Sequence, residues 1–98
     1  MDEETKKILV EVQKYKGKKY TILLAVEEMT ELSKELLKNI NRDKDNYDSI
    51  LEETTDVMVC LEYIKSVYKI SDDTLNENIN KKVRYKLLPR IEKWKAKK

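Results

Sequence analysis

Apolar residues recur along this chain at intervals of three and four, broken by a few polar stretches, which is the period of helices with one buried face. The first stretch, Asp2 to Tyr15, puts Ile8, Leu9 and Val12 on one side, and Gly17 stands where a helix would end. The second runs from about Tyr20 to Ile40, with Ile22, Ala25, Met29, Leu32, Leu36 and Ile40 on one face. Polar residues 41–46 read as a loop. A third helix is expected to begin between Asp45 and Ser49, where several side chains could cap it, and to continue to about Lys69. Its inward positions are Ile50, Val57, Leu61, Ile64 and Tyr68. Ser71, Asp72 and Asp73 offer caps for a fourth helix from about Thr74. Pro89 should end or kink that helix near Leu88, leaving a short basic segment around Trp94. Short connections make neighbouring helices antiparallel. The pattern therefore predicts one all-α domain over residues 1–98, an antiparallel bundle of four main helices plus a short C-terminal segment. Met29, Met58 and Cys60 read as core fillers, and packing is the expected role of Tyr63, Tyr68 and Tyr85.

Composition agrees with this picture and narrows the chemistry. With 98 residues the core is small, so association between copies, as a homodimer or homotetramer, is expected to complete it. One Gly and one Pro are too few for the turns of a sheet protein. The single Cys60 excludes an intrachain disulfide and fits a reducing, cytoplasmic setting. No signal peptide is visible, and the apolar run Ile22 to Val26 is too short to span a bilayer, so no membrane partner is expected. There is no histidine, which removes His-based acid–base catalysis and nearly all zinc chemistry. Carboxylates, lysines and hydroxyls remain.

Charge is unevenly distributed. From Lys81 onward nine Lys and Arg face the single acid Glu92, a net +8, which leaves residues 1–80 at −6. An acidic body with a basic tail suits a site that handles a metal ion and a polyanion, although a solvated helix end reads the same way.

The acids of the second and third helices carry the candidate chemistry. Glu27, Glu28 and Glu31 lie on the second; Glu53 and Asp56 lie on the third. Glu28 and Glu31 are three apart, as are Glu53 and Asp56, so each pair shares one helix surface. In an antiparallel hairpin the pairs can converge. Either pair alone reads as solvated surface. Glu53, however, projects from the stripe of Ile50, Val57, Cys60 and Ile64, and an isolated carboxylate there is costly unless paired or neutralised. A hard divalent ion satisfies several oxygens at once, and Mg²⁺, which also shares its shell with substrate phosphates, fits best.

The run Glu27-Glu28-x-x-Glu31, a spacer, and Glu53-x-x-Asp56 resembles the signature of the MazG-like all-alpha nucleotide pyrophosphohydrolases. Ala25 to Leu32 is similar to that family's second helix and Glu53 to Val57 to its third, and the helix order agrees from about Ile8 to Ile91. Thr30 departs from a frequent Gly, and Thr54-Thr55 from a Leu-Ala-like pair. The resemblance implies metal ligation by Glu28, Glu31, Glu53 and Asp56, with Mg²⁺ replaceable by Mn²⁺. It implies a supporting or water-positioning role for Glu27. The implied reaction is hydrolysis of a nucleoside or deoxynucleoside triphosphate between the α and β phosphates, giving the monophosphate and pyrophosphate.

Phosphate charge in such a reaction wants fixed cations, and Lys81, Lys82 and Arg84 are the candidates, with Asn80 a candidate hydrogen-bond donor to sugar or phosphate. Two other readings share these residues. One is a phosphoribosyl-ATP pyrophosphohydrolase-like enzyme, which uses a related acidic fold. The other is a non-catalytic interaction module with a basic phosphate-binding tail. Nucleic acid is a poor partner for a chain whose first 80 residues are net negative.

Overall fold

Asp2 accepts a hydrogen bond at 2.7 Å from the Thr5 amide and so caps the first helix, α1, Glu3–Lys16. The structure, a computed structural model, describes residues 1–97, and they are helical almost throughout. Gly17 closes α1 at φ 90°, in the range that favours glycine, and is the whole connection to α2, Lys18–Arg42. Asp43, left-handed at φ 50°, ends α2 two residues beyond the expected Ile40. The remaining helices are α3, Tyr47–Tyr68, and α4, Asp72–Lys82, followed by a π turn, Val83–Leu87, and α5, Leu88–Ala96.

The start of α3 departs from expectation in an informative way. Asn46 occupies the cap position yet makes no capping hydrogen bond. Its buried side chain instead donates to the Glu35 carbonyl at 2.9 Å and the Glu35 carboxylate at 2.6 Å, and accepts from Asn39 at 3.3 Å. The polar cluster fastens the loop against α2 and fixes the register of the α2–α3 hairpin.

Ser71, by contrast, caps α4 as expected, accepting from the Thr74 amide at 3.1 Å. Pro89 neither ends nor breaks the helical run. The turn before it is widened, with the Leu88 amide donating to the Val83 carbonyl five residues back. Widening moves aside the carbonyl that a proline ring would otherwise meet, so the missing N–H is absorbed and helix resumes.

Packing differs more. The core consists of Ala25, Cys60 and Tyr63, with Leu9, Val12, Leu24, Val59 and Ile64 partly buried around them. It lies where α1 crosses the ends of α2 and α3. The expected fourth bundle helix is not in the bundle: α4, the π turn and α5 form an arm that packs on none of α1–α3, and residues 71–97 are all exposed. The radius of gyration, 17.1 Å, exceeds the roughly 13 Å of a compact chain this long. Only the arm's first turn is tied down, where Asp72 pairs with Lys6 at 2.8 Å and with Lys65.

Several expected core positions are therefore corrected. Met29, Leu36 and Ile40 on α2 and Met58, Leu61 and Tyr68 on α3 are exposed, as is Tyr85 on the arm. Their periodicity is helical, but among the described residues no further helix covers that side of the hairpin. Among the described residues no helix is long and apolar enough to cross a membrane.

Candidate metal centre

The α2–α3 hairpin brings Glu28, Glu53 and Asp56 together. One carboxylate oxygen from each lies within 4.8 Å of the others, and all of these side chains are half-buried. Asp56 and Cys60, one turn apart on α3, face Glu28 across the helix contact, while Glu53 lies a further turn toward the loop. Glu53 Oε2 is buried and has no hydrogen-bond partner among the described residues. Among the described residues no lysine pairs with it, and Lys34 and Lys38 pair along their own helix with Glu31 and Glu35.

Burial, followed by the charge of Asp56 and the nearness of Glu53, pushes the Glu28 carboxyl up to about 7. In the metal-free chain the cluster thus holds a proton near neutrality. Burial also raises the Cys60 thiol, with Glu28 and Asp56 adding to the effect. Cys60 is therefore a protonated wall of the site rather than a nucleophile.

A cleft of about 240 Å³ opens beside the acids, lined by Leu24, Glu28, Asp56, Val59, Cys60 and Tyr63. Sequence reasoning did not assign Leu24, Val59, Cys60 or Tyr63 to the site. The spacing of Asp56, Cys60 and Tyr63 by four and three was the available signal, and it reads equally as a core stripe. A larger hollow of about 470 Å³ lies at the loop, but its Glu35 is already held by Asn46 and Lys38. It offers no comparable set of unsatisfied oxygens.

The other expected site residues lie outside the trio. Glu31, three residues beyond Glu28, is rotated about 60° around the axis, and its carboxylate is 3.3 Å from Lys34. Glu27 is exposed. Asn80, Lys81, Lys82 and Arg84 are on the arm, which meets α3 through the Asp72–Lys65 pair at its first turn and does not pack on α2, and Lys81 is 3.1 Å from Glu77. Asn80 and Arg84 line a shallow groove with Val83, Leu88 and Ile91. A single chain thus assembles the acids and leaves the cations apart from them.

Compared with models of protein families, with curated proteins and with solved structures, the chain matches none.

Proposed function

We propose that this protein is a Mg²⁺-dependent nucleoside triphosphate pyrophosphohydrolase that works as a homo-oligomer in a reducing cytoplasm. The observation that carries the reading is the trio Glu28, Glu53 and Asp56 with its orphaned Glu53 Oε2. The donor set fits the ion. It is all oxygen, half-buried and in need of positive charge, which suits a hard divalent cation such as Mg²⁺ or Mn²⁺. The resemblance of residues 27–31 and 53–56 to the MazG-like signature supplies the reaction class.

Glu28, Glu53 and Asp56 would hold the ion, with Glu31 joining from the rim once released from Lys34. A bound divalent ion supplies charge neutralisation on phosphate and a more acidic water. Glu27, exposed beside the cluster, orients the attacking water and accepts its proton. Tyr63 and Val59 give the cleft an apolar wall against which a base can rest. Lys81, Lys82, Arg84 and Asn80 meet the phosphates only if an arm reaches the cluster, and a second copy is the natural source.

The test is pyrophosphate release from a panel of canonical and modified triphosphates with Mg²⁺. Activity on at least one, lost in Glu53→Gln, supports the reading; no pyrophosphate from any, or an unimpaired Glu53→Gln protein, defeats it. The exposed basic arm favours one second reading, an interaction module. Phosphate-ligand binding that disappears when residues 93–98 are removed, without hydrolysis, would select it.

A further inference from the structure

The arm carries an apolar stripe whose straightness depends on the π turn. Leu75, Ile79, Val83, Leu87 and Ile91 stand four apart, and Trp94 follows after three. On an uninterrupted α-helix each four-residue step drifts about 40°, so these five residues would wind roughly 160° around the axis. The π turn Val83–Leu87 adds one residue to a turn and so takes back roughly 100°. With it, all six side chains fall within an arc of roughly 80°. They are 36–59 % exposed, and the arm packs on none of the first three helices. Lys82, Lys86 and Arg90 each stand one residue before a stripe position and line one edge of it. Arg84 and Lys95 each stand one residue after a stripe position and line the other edge.

We propose that the arm lies flat in the surface of an anionic phospholipid bilayer, its stripe sunk to the acyl boundary and its basic edges among the headgroup phosphates. This goes beyond the hydrolase reading and does not rest on it. The lack of a helix able to cross a membrane does not bear on it, because an interfacial helix needs one apolar face with cationic flanks rather than a spanning length.

Three observations choose a lipid surface as the occupant. First, an apolar strip between two cationic edges needs a partner that is apolar in the middle and anionic at both margins. The headgroup layer has that cross-section, whereas a nucleic acid would engage the charges and leave the stripe in water. Secondly, seven of the nine basic residues from Lys81 onward are lysines. Protein interfaces favour Arg and are depleted in Lys, while lysines snorkel readily and are attracted diffusely to anionic lipid. Thirdly, charge is polarised along the molecule. Residues 1–80 carry a net −6 and the rest +8, so an anionic surface attracts the arm and repels the body joined to its first turn. The molecule would therefore approach arm first.

Trp94 is the single tryptophan, so its emission reports on the arm alone. The experiment mixes the full chain with vesicles of phosphatidylcholine, with or without about one-third phosphatidylglycerol, and reads Trp94 emission and co-flotation. With anionic vesicles the emission should shift to the blue, be quenched by lipid brominated on its acyl chains, and be accompanied by flotation. Binding should be at least about 10-fold weaker to neutral vesicles, and weaker again in ~1 M salt. Val83→Asp/Ile91→Asp should abolish the shift, Lys86→Gln/Arg90→Gln should weaken binding about 10-fold or more, and Leu51→Asp on α3 should bind as the parent does. Circular dichroism checks that each variant keeps its helices; should the apolar variant lose them, acyl-chain quenching in the parent decides. No shift with anionic vesicles overturns the proposal, as does flotation that survives Val83→Asp/Ile91→Asp in a folded protein. Retention of duplex DNA with emission that vesicles leave unmoved overturns it and assigns the arm to nucleic acid. Emission already blue in the free protein and unmoved by vesicles overturns it in favour of a second protein copy over the stripe. Pyrophosphate release is assayed without vesicles, so either reading can fail while the other stands.

Discussion

Glu28 and Glu53 present carboxylate oxygens within 4.8 Å of one another across the α2–α3 contact, and Glu53 Oε2 is buried without a hydrogen-bond partner among the described residues. Two acids this close repel unless a proton or cation stands between them. Neutralising one should therefore stabilise the metal-free protein. Glu53→Gln is expected to raise unfolding free energy by about 1 kcal/mol in chelator, and to remove any stabilisation by Mg²⁺. Urea unfolding with and without the ion measures both effects, and an unstabilised variant that still responds to Mg²⁺ would contradict the arrangement.

The same cluster sets a pH dependence. Burial and the neighbouring acids lift the folded-state value of Glu28 from 4.5 to about 7. A raised folded value means the native chain binds the proton more tightly than the unfolded one. That contribution to stability is whole below about 4.5 and is lost as pH rises through about 7. The metal-free protein should accordingly lose on the order of 1–2 kcal/mol over that interval, discounted for partial exposure. Mg²⁺ binds the ionised form, so its stabilising effect should grow across the same window. Chemical denaturation at a series of pH values, in chelator and in Mg²⁺, would reveal the opposed trends.

Asn46 holds the hairpin loop through its bonds to the Glu35 carbonyl and carboxylate. Replacing it with Ala removes both bonds of the buried Asn46 amide, leaving the half-buried Glu35 carboxylate with Lys38 alone, and should cost about 1–3 kcal/mol. The acids at the metal centre depend on hairpin register, so Asn46→Ala should also weaken Mn²⁺ binding. A variant as stable as the parent in urea would show that the cluster does not set the register.

Asp72 ties the arm to the core. Its contacts with Lys6 and Lys65 hold the carboxyl at about 2, well below its ordinary 3.8. A lowered folded value means the tie is fully present above about 3.8 and is lost as pH falls through about 2. Asp72→Asn should free the arm at neutral pH without touching the acids of the cleft. Faster amide exchange at the start of α4, with unchanged Mn²⁺ affinity, is the expected result.

Helix number, order and most boundaries were legible because apolar periodicity and caps are local properties. Asp2, Gly17 and Ser71 sit at helix ends as their chemistry requires. Convergence of Glu28, Glu53 and Asp56 was legible too, because three- and four-residue spacing on an antiparallel hairpin leaves few arrangements. What could not be read was which surface covers which. Met29, Leu36 and Leu61 carry a burial pattern that does not say whether the covering helix belongs to the same chain. Pro89 hid the π turn, since a missing N–H predicts disruption but not how the helix absorbs it. Glu31 lies outside the trio, turned about 60° around the axis from Glu28 and set beside Lys34, and spacing alone does not say which of two acids one turn apart faces the neighbouring helix.

The most direct test of the central claim is Mn²⁺ binding followed by calorimetry and by the electron paramagnetic resonance of the ion. The account predicts binding by the parent, a loss of at least ~10-fold in affinity in Glu53→Gln and in Asp56→Asn, and little change in Glu27→Gln. A parent that leaves the free-ion spectrum untouched, or a Glu53→Gln protein that binds as tightly as the parent, would contradict it.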